Sequence, residues 1–122
     1  MIGKSKGKTK KKGEAKEQRR YFRIEYPLSH RPEFVHKIGK FPIFDLSEGG
    51  LSFQVAPEYT FMETEKVTAE VRLVSGVSHT IKGRVIRVIG RKIIIEFIDP
   101  VPLSKIMEEE RFLVQRQLLR AD

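Results

Sequence analysis

The sequence predicts a mainly β protein: a small antiparallel β-barrel of six or seven strands, with a C-terminal α-helix and a disordered basic N-terminal tail. Three observations lead there. Short stretches of alternating apolar and polar residues recur from Glu33 onward, broken by Gly, Pro and Ser. One stretch free of Pro and Gly follows them, with apolar residues at helical spacing. Residues 1–17, MIGKSKGKTKKKGEAKE, carry almost no apolar side chains and cannot offset the entropy of ordering.

Residues 18–122 are therefore read as one domain, which suits a chain of 122 residues. Order is expected to begin near Tyr21 and Phe22. Pro27 and Pro32 keep RIEYPLSHRPEF extended rather than helical. Glu33–Ile38 and Phe41–Leu46 read as a hairpin joined at Gly39-Lys40. The segment SEGG is a turn into a strand with Leu51, Phe53 and Val55 on one face. Residues 57–66 form a longer loop. Val67, Ala69, Val71 and Leu73 alternate along the next strand, which ends at Ser75-Gly76. Thr80–Ile89 follows, with Gly83 marking a bulge or a close backbone approach. Gly90-Arg91 turns into the β-branched run Lys92–Ile98, which Asp99-Pro100-Val101-Pro102 stops. Leu103, Ile106, Met107, Leu113, Val114 and Leu118 then outline a helix over about 103–119, capped by Ser104. Glu108, Glu109 and Glu110 read as an acidic run near its start, favoured by the helix dipole.

The charge is unevenly placed. Residues 1–23 hold ten Lys and Arg against two acids, and the remaining 99 residues hold fourteen of each sign. The formal net charge of +8 thus lies in the first fifth of the chain. A nucleic-acid-binding fold normally carries its basic stripe on the folded face, so nucleic acid is not the expected partner of this neutral body. There is no Cys, hence no disulfide framework, thiol nucleophile or Cys-ligated zinc. His30, His36 and His79 are scattered, and no metal is expected. No apolar run approaches a membrane span and no apolar segment follows the basic N-terminus, so a cytoplasmic protein without membrane insertion is expected. No set of acid, base and nucleophile emerges, which argues against an enzyme.

Two constellations remain. Arg19-Arg20-Tyr21-Phe22-Arg23 contains RxxxR as Arg19 and Arg23, at the junction of tail and barrel. Asp45-Leu46-Ser47-Glu48-Gly49-Gly50 reads DxSxxG as Asp45, Ser47 and Gly50, at the end of an early strand. Each is weak alone; their order, followed by a β pattern and a helix, is more specific. On these residues, and on the stretch DLSEGGLSF, the sequence resembles the PilZ domain family over roughly residues 18–120. The resemblance implies a β-barrel receptor for the bacterial second messenger cyclic di-GMP, with biofilm formation or motility as the outputs of the family. It departs from the family pattern in the loop at 57–66, which lacks a Gly.

The chemistry of those residues suits that ligand. An Arg fork matches both a phosphate and the O6/N7 edge of guanine. The opposite guanine edge presents N–H donors, which the Asp45 carboxylate can accept, with Ser47 beside it. Asp45 and Ser47 are two apart and share a strand face. Gly49 and Gly50 are expected to allow a positive-φ turn. The guanidinium planes, and Tyr21, are expected to stack on a purine. The expected ligand set is thus Arg19, Arg20, Arg23, Asp45, Ser47, Gly49 and Gly50, with cyclic di-GMP as ligand, no other cofactor, and a downstream protein as partner. The structural alternatives are a solvated basic tail and an Asp that caps its own turn. Phe22, Phe41, Phe44 and Phe53 read as core. Arg84, Arg87, Arg91 and Lys92 read as a solvated face. The rival functions are a nucleotide-independent adaptor docking through Leu118 and Leu119, and weak nucleic-acid binding through the Lys tail.

Overall fold

The structure, a computed structural model, describes residues 22–119. The expectations for the tail, and for Arg19, Arg20 and Tyr21, lie outside the described residues. Seven strands and one helix follow in chain order: β1 Arg23–Glu25, β2 Glu33–His36, β3 Gly39–Ser47, β4 Gly50–Gln54, β5 Lys66–Arg72, β6 Ser78–Ile89, β7 Lys92–Phe97 and α1 Leu103–Gln115. All pairings are antiparallel, and the order β3-β2-β5-β6-β7-β4 closes on itself through β3–β4. Closure removes the exposed edges that an open sheet would present. β1 is the extra strand and pairs with the last three residues of β3.

The inward positions are those the alternation marked. Val67, Ala69 and Val71 of β5, Leu51 and Phe53 of β4, and Ile93 and Ile95 of β7 are all buried. At the centre, the Phe34 and Phe53 rings stack with centroids 4.1 Å apart. Phe61 meets Phe53 edge-on at 5.3 Å, so the 57–66 loop contributes core despite its polar composition.

Several local expectations are corrected. The β2–β3 hairpin turns at Lys37-Ile38, two residues earlier than Gly39-Lys40, because the pairing sets Phe34 opposite Phe41 with both rings buried. Gly83 is a close approach and not a bulge: a Cβ there would lie 2.5 Å from Ile95 Cγ2. The bulge in β6 falls between Val85 and Arg87.

The helix ends at Gln115, short of residue 119. Its N-cap is Pro102, and no side chain caps it, Ser104 included. At its end, Leu118 N–H bonds to Leu113 C=O at 2.8 Å and Gln117 N–H to Val114 C=O at 2.9 Å. Gln117 adopts φ 59°. This double closure is a Schellman termination with Gln where Gly is usual. Leu118 and Leu119 then pack, partly buried, against the core. Leu103 and Met107 are exposed, whereas Ile106, Glu109 and Leu113 are buried. Glu109 is therefore not a solvated dipole partner.

Candidate functional site

The short β1 strand determines the site. Arg23 sits opposite Ser47, Ile24 opposite Leu46, and Glu25 opposite Asp45. Ile24 and Leu46 are buried, so strand alternation turns Arg23, Glu25, Asp45 and Ser47 together to the other face. Residues distant in the chain thereby meet on one patch. Asp45 and Ser47 share a face, as their spacing requires. Arg23 is exposed, Asp45 half-buried and Ser47 buried.

The turn after Ser47 is held from several sides. Ser47 Oγ donates to the Gly50 carbonyl at 3.3 Å. The Gly49 carbonyl accepts Phe97 N–H at 2.8 Å and the Glu48 carbonyl accepts Val101 N–H at 2.9 Å. The expected positive-φ role of the glycines is corrected: among the described glycines, only Gly76 and Gly90 have positive φ. Gly50 is needed for a different reason. It pairs with Glu96 of β7, and a Cβ there would overlap the Ile95 carbonyl.

A groove of about 290 Å³ lies over this turn, lined by Arg23, Asp45, Ser47, Gly49 and Gly50 together with Ser52, Ile86, Lys92 and Glu96. Ser52, opposite Asp45, is 2% exposed, and its hydroxyl has no hydrogen-bond partner among the described residues. A second groove adjoins it and shares Arg23, Asp45 and Lys92, adding Glu25 and Phe44. Phe44 is the extra residue of a second bulge, between Ile43 and Asp45. The Arg31 guanidinium lies 4.7 Å from its ring centroid and Lys92 Nζ 5.8 Å, within cation–π range.

Five expected site residues therefore line one groove: Arg23, Asp45, Ser47, Gly49 and Gly50. Arg19 and Arg20 lie outside the described residues. Lys92, Glu96, Ile86 and Phe44 were not foreseen. Lys92 belongs to the group read as a solvated face, and Phe44 to the group read as core. The grooves' described charged linings are Arg23 and Lys92 against Asp45 and Glu96 in one, and against Asp45 and Glu25 in the other. Such a surface offers an anion two cations and a purine edge two carboxylate acceptors.

A family model, the PilZ domain, matches residues 17–115. The chain belongs to the PilZ domain family. Among solved structures, the PilZ domain resembles that of YcgR from Escherichia coli, solved with c-di-GMP, with a TM-score of 0.59 at 19% identity over 83% of this chain and 94% of that one. It also resembles the Bacillus subtilis inhibitor of motility MotI/DgrA, with a TM-score of 0.64 at 16% identity over 86% of this chain and 53% of that one. The K. pneumonia MrkH–c-di-GMP complex gives a TM-score of 0.58 at 22% identity over 84% of this chain and 53% of that one. The PilZ domain thus spans about half the length of the MotI and MrkH chains. No curated protein sequence matches it. At these identities the likeness is one of fold.

Proposed function

We propose that the protein is a receptor for cyclic di-GMP, which it holds in the groove over the Ser47–Gly50 turn. The observation that carries this reading is the cross-strand pairing of Arg23 with Ser47 and of Glu25 with Asp45, which brings part of RxxxR onto DxSxxG. PilZ domains of YcgR and MrkH bound to c-di-GMP support it. Arg23 meets a phosphate or the O6/N7 edge of a guanine, and Asp45 accepts from the N1–H and N2–H₂ edge. Arg19 and Arg20 join from the preceding segment, which closes over the ligand and presents a new surface to a partner protein, an ordering switch. No bond of the ligand is made or broken in this reading, so the protein signals in the cytoplasm rather than catalyses, with motility or biofilm as output.

Parallel calorimetric titrations with cyclic di-GMP, GTP and a random DNA oligomer test it. Saturable binding to cyclic di-GMP alone is expected. Absence of cyclic di-GMP binding at micromolar concentrations overturns it. DNA binding lost on deletion of residues 1–17 would instead favour the Lys-tail reading. A partner-induced response with no nucleotide response would favour the adaptor.

A further inference from the structure

The most exposed apolar residue lining the groove over the Ser47–Gly50 turn requires an explanation. Ile86 is 50% exposed and lines this groove beside Asp45, Ser47, Lys92 and Glu96. It is there because of the β6 bulge: Val85 pairs with Ile95 and Arg87 with Ile94, which leaves Ile86 as the unpaired extra residue. Such a bulge redirects a side chain relative to the regular ladder.

The bulge is braced by the turn Met62–Glu65, immediately before β5. Thr64 N–H donates to the Val85 carbonyl at 2.7 Å, and Val85 N–H donates to the Glu65 carbonyl at 2.8 Å. Beyond the bulge, Val88 N–H donates to Glu63 Oε2 at 3.3 Å. Met62 N–H donates to Glu65 Oε1 at 2.9 Å and closes the turn on itself. To make these bonds Thr64 sits at φ 72°, a left-handed conformation that is costly for a β-branched residue. The strained turn thus grips β6 on both sides of Ile86.

We propose that Ile86 is the apolar wall on which a purine face of the ligand packs, and that Glu63, through the β6 bulge, is a positioning residue for it. The inference rests on the cyclic di-GMP reading. The polar residues of the groove can satisfy a guanine's edges, and its ring face gains further where apolar surface is removed from water against it. Ile86 supplies such surface at the groove.

The test is a double-mutant cycle on the full chain, titrating cyclic di-GMP into wild type, Ile86→Ala, Glu63→Ala and the double variant. Ile86→Ala is expected to weaken binding about five- to tenfold with little change in Tm, because the side chain is already half exposed. Glu63→Ala is expected to weaken binding in the wild-type background and not in the Ile86→Ala background. Glu63→Gln, which keeps an oxygen acceptor for Val88 N–H, is expected to retain affinity. Ile86→Ala binding as tightly as wild type overturns the inference and leaves the receptor reading standing. Strictly additive losses overturn the positioning role of Glu63. Failure of wild type itself to bind overturns both the inference and the reading beneath it.

Discussion

The Tyr26 hydroxyl donates a 2.9 Å hydrogen bond to Glu109 Oε2, joining the residue just after β1 to the middle of the helix. The same carboxylate accepts Val74 N–H at 2.9 Å and Ser75 N–H at 3.1 Å from the β5–β6 turn. Glu109 is fully buried, and a buried carboxylate is tolerated only when such donors surround it. One side chain thus ties together the strand that carries Arg23, the β5–β6 hairpin and α1. Tyr26→Phe is expected to cost about 1.5–3 kcal/mol, the range for a hydrogen bond to a charged group. Glu109→Ala should cost more, since it leaves two backbone N–H groups and a hydroxyl without an acceptor. Urea denaturation of the three proteins checks the order.

The same contact sets an alkaline limit. Burial first, and then the Glu109 charge and hydrogen bond, push the Tyr26 hydroxyl well above its ordinary value of 10.0. The folded state therefore holds this proton more tightly than the unfolded state. Its contribution is fully present below about pH 10 and is lost as the pH rises above that, by about 1.4 kcal/mol per pH unit for one proton. Thermal melts between pH 9 and 12 should show a fall in Tm that is shallower in Tyr26→Phe.

Gly50→Ala is expected to damage the fold rather than delete a ligand contact. The added methyl would overlap the Ile95 carbonyl, forcing β4 from β7 where Gly50 pairs with Glu96. A loss of about 3 kcal/mol or more is expected for such overpacking against backbone, with ligand binding lost as a consequence. A variant with unchanged Tm would refute the steric account of this glycine.

Asp45→Asn should separate stability from binding in the opposite sense. Glu25 and Asp45 are directly opposed across β1 and β3, and like charges so placed are unfavourable by roughly 0.2–1 kcal/mol. Neutralising Asp45 is expected to leave Tm unchanged or raise it while weakening cyclic di-GMP binding. A lower Tm with intact binding would assign Asp45 a structural role instead.

The barrel is legible in the sequence wherever one face alternates. Leu51 and Phe53, Val67 to Val71, and Ile93 and Ile95 each mark a buried face, and Gly90-Arg91 marks its hairpin because Gly90 takes φ 59°. Within the site, the spacing of Asp45 and Ser47 indicates a shared face. Lys92, Glu96 and Ile86 are not legible, since they reach the groove only through the β4–β7 and β6–β7 registers and through a bulge that no local residue type signals. The helix end is hidden for a related reason: Gln117 occupies a left-handed position that composition would assign to Gly. Glu109 is misread because its three donors come from elements far away in the chain.

Backbone amide chemical-shift mapping during addition of cyclic di-GMP tests the central claim most directly. The account expects the largest shifts at Arg23, Asp45, Ser47, Gly49, Gly50 and Ile86, with His79, Lys82 and Asp99 of the separate groove beside β6 unmoved. Shifts centred on His79 and Asp99, or none at saturating nucleotide, would contradict it.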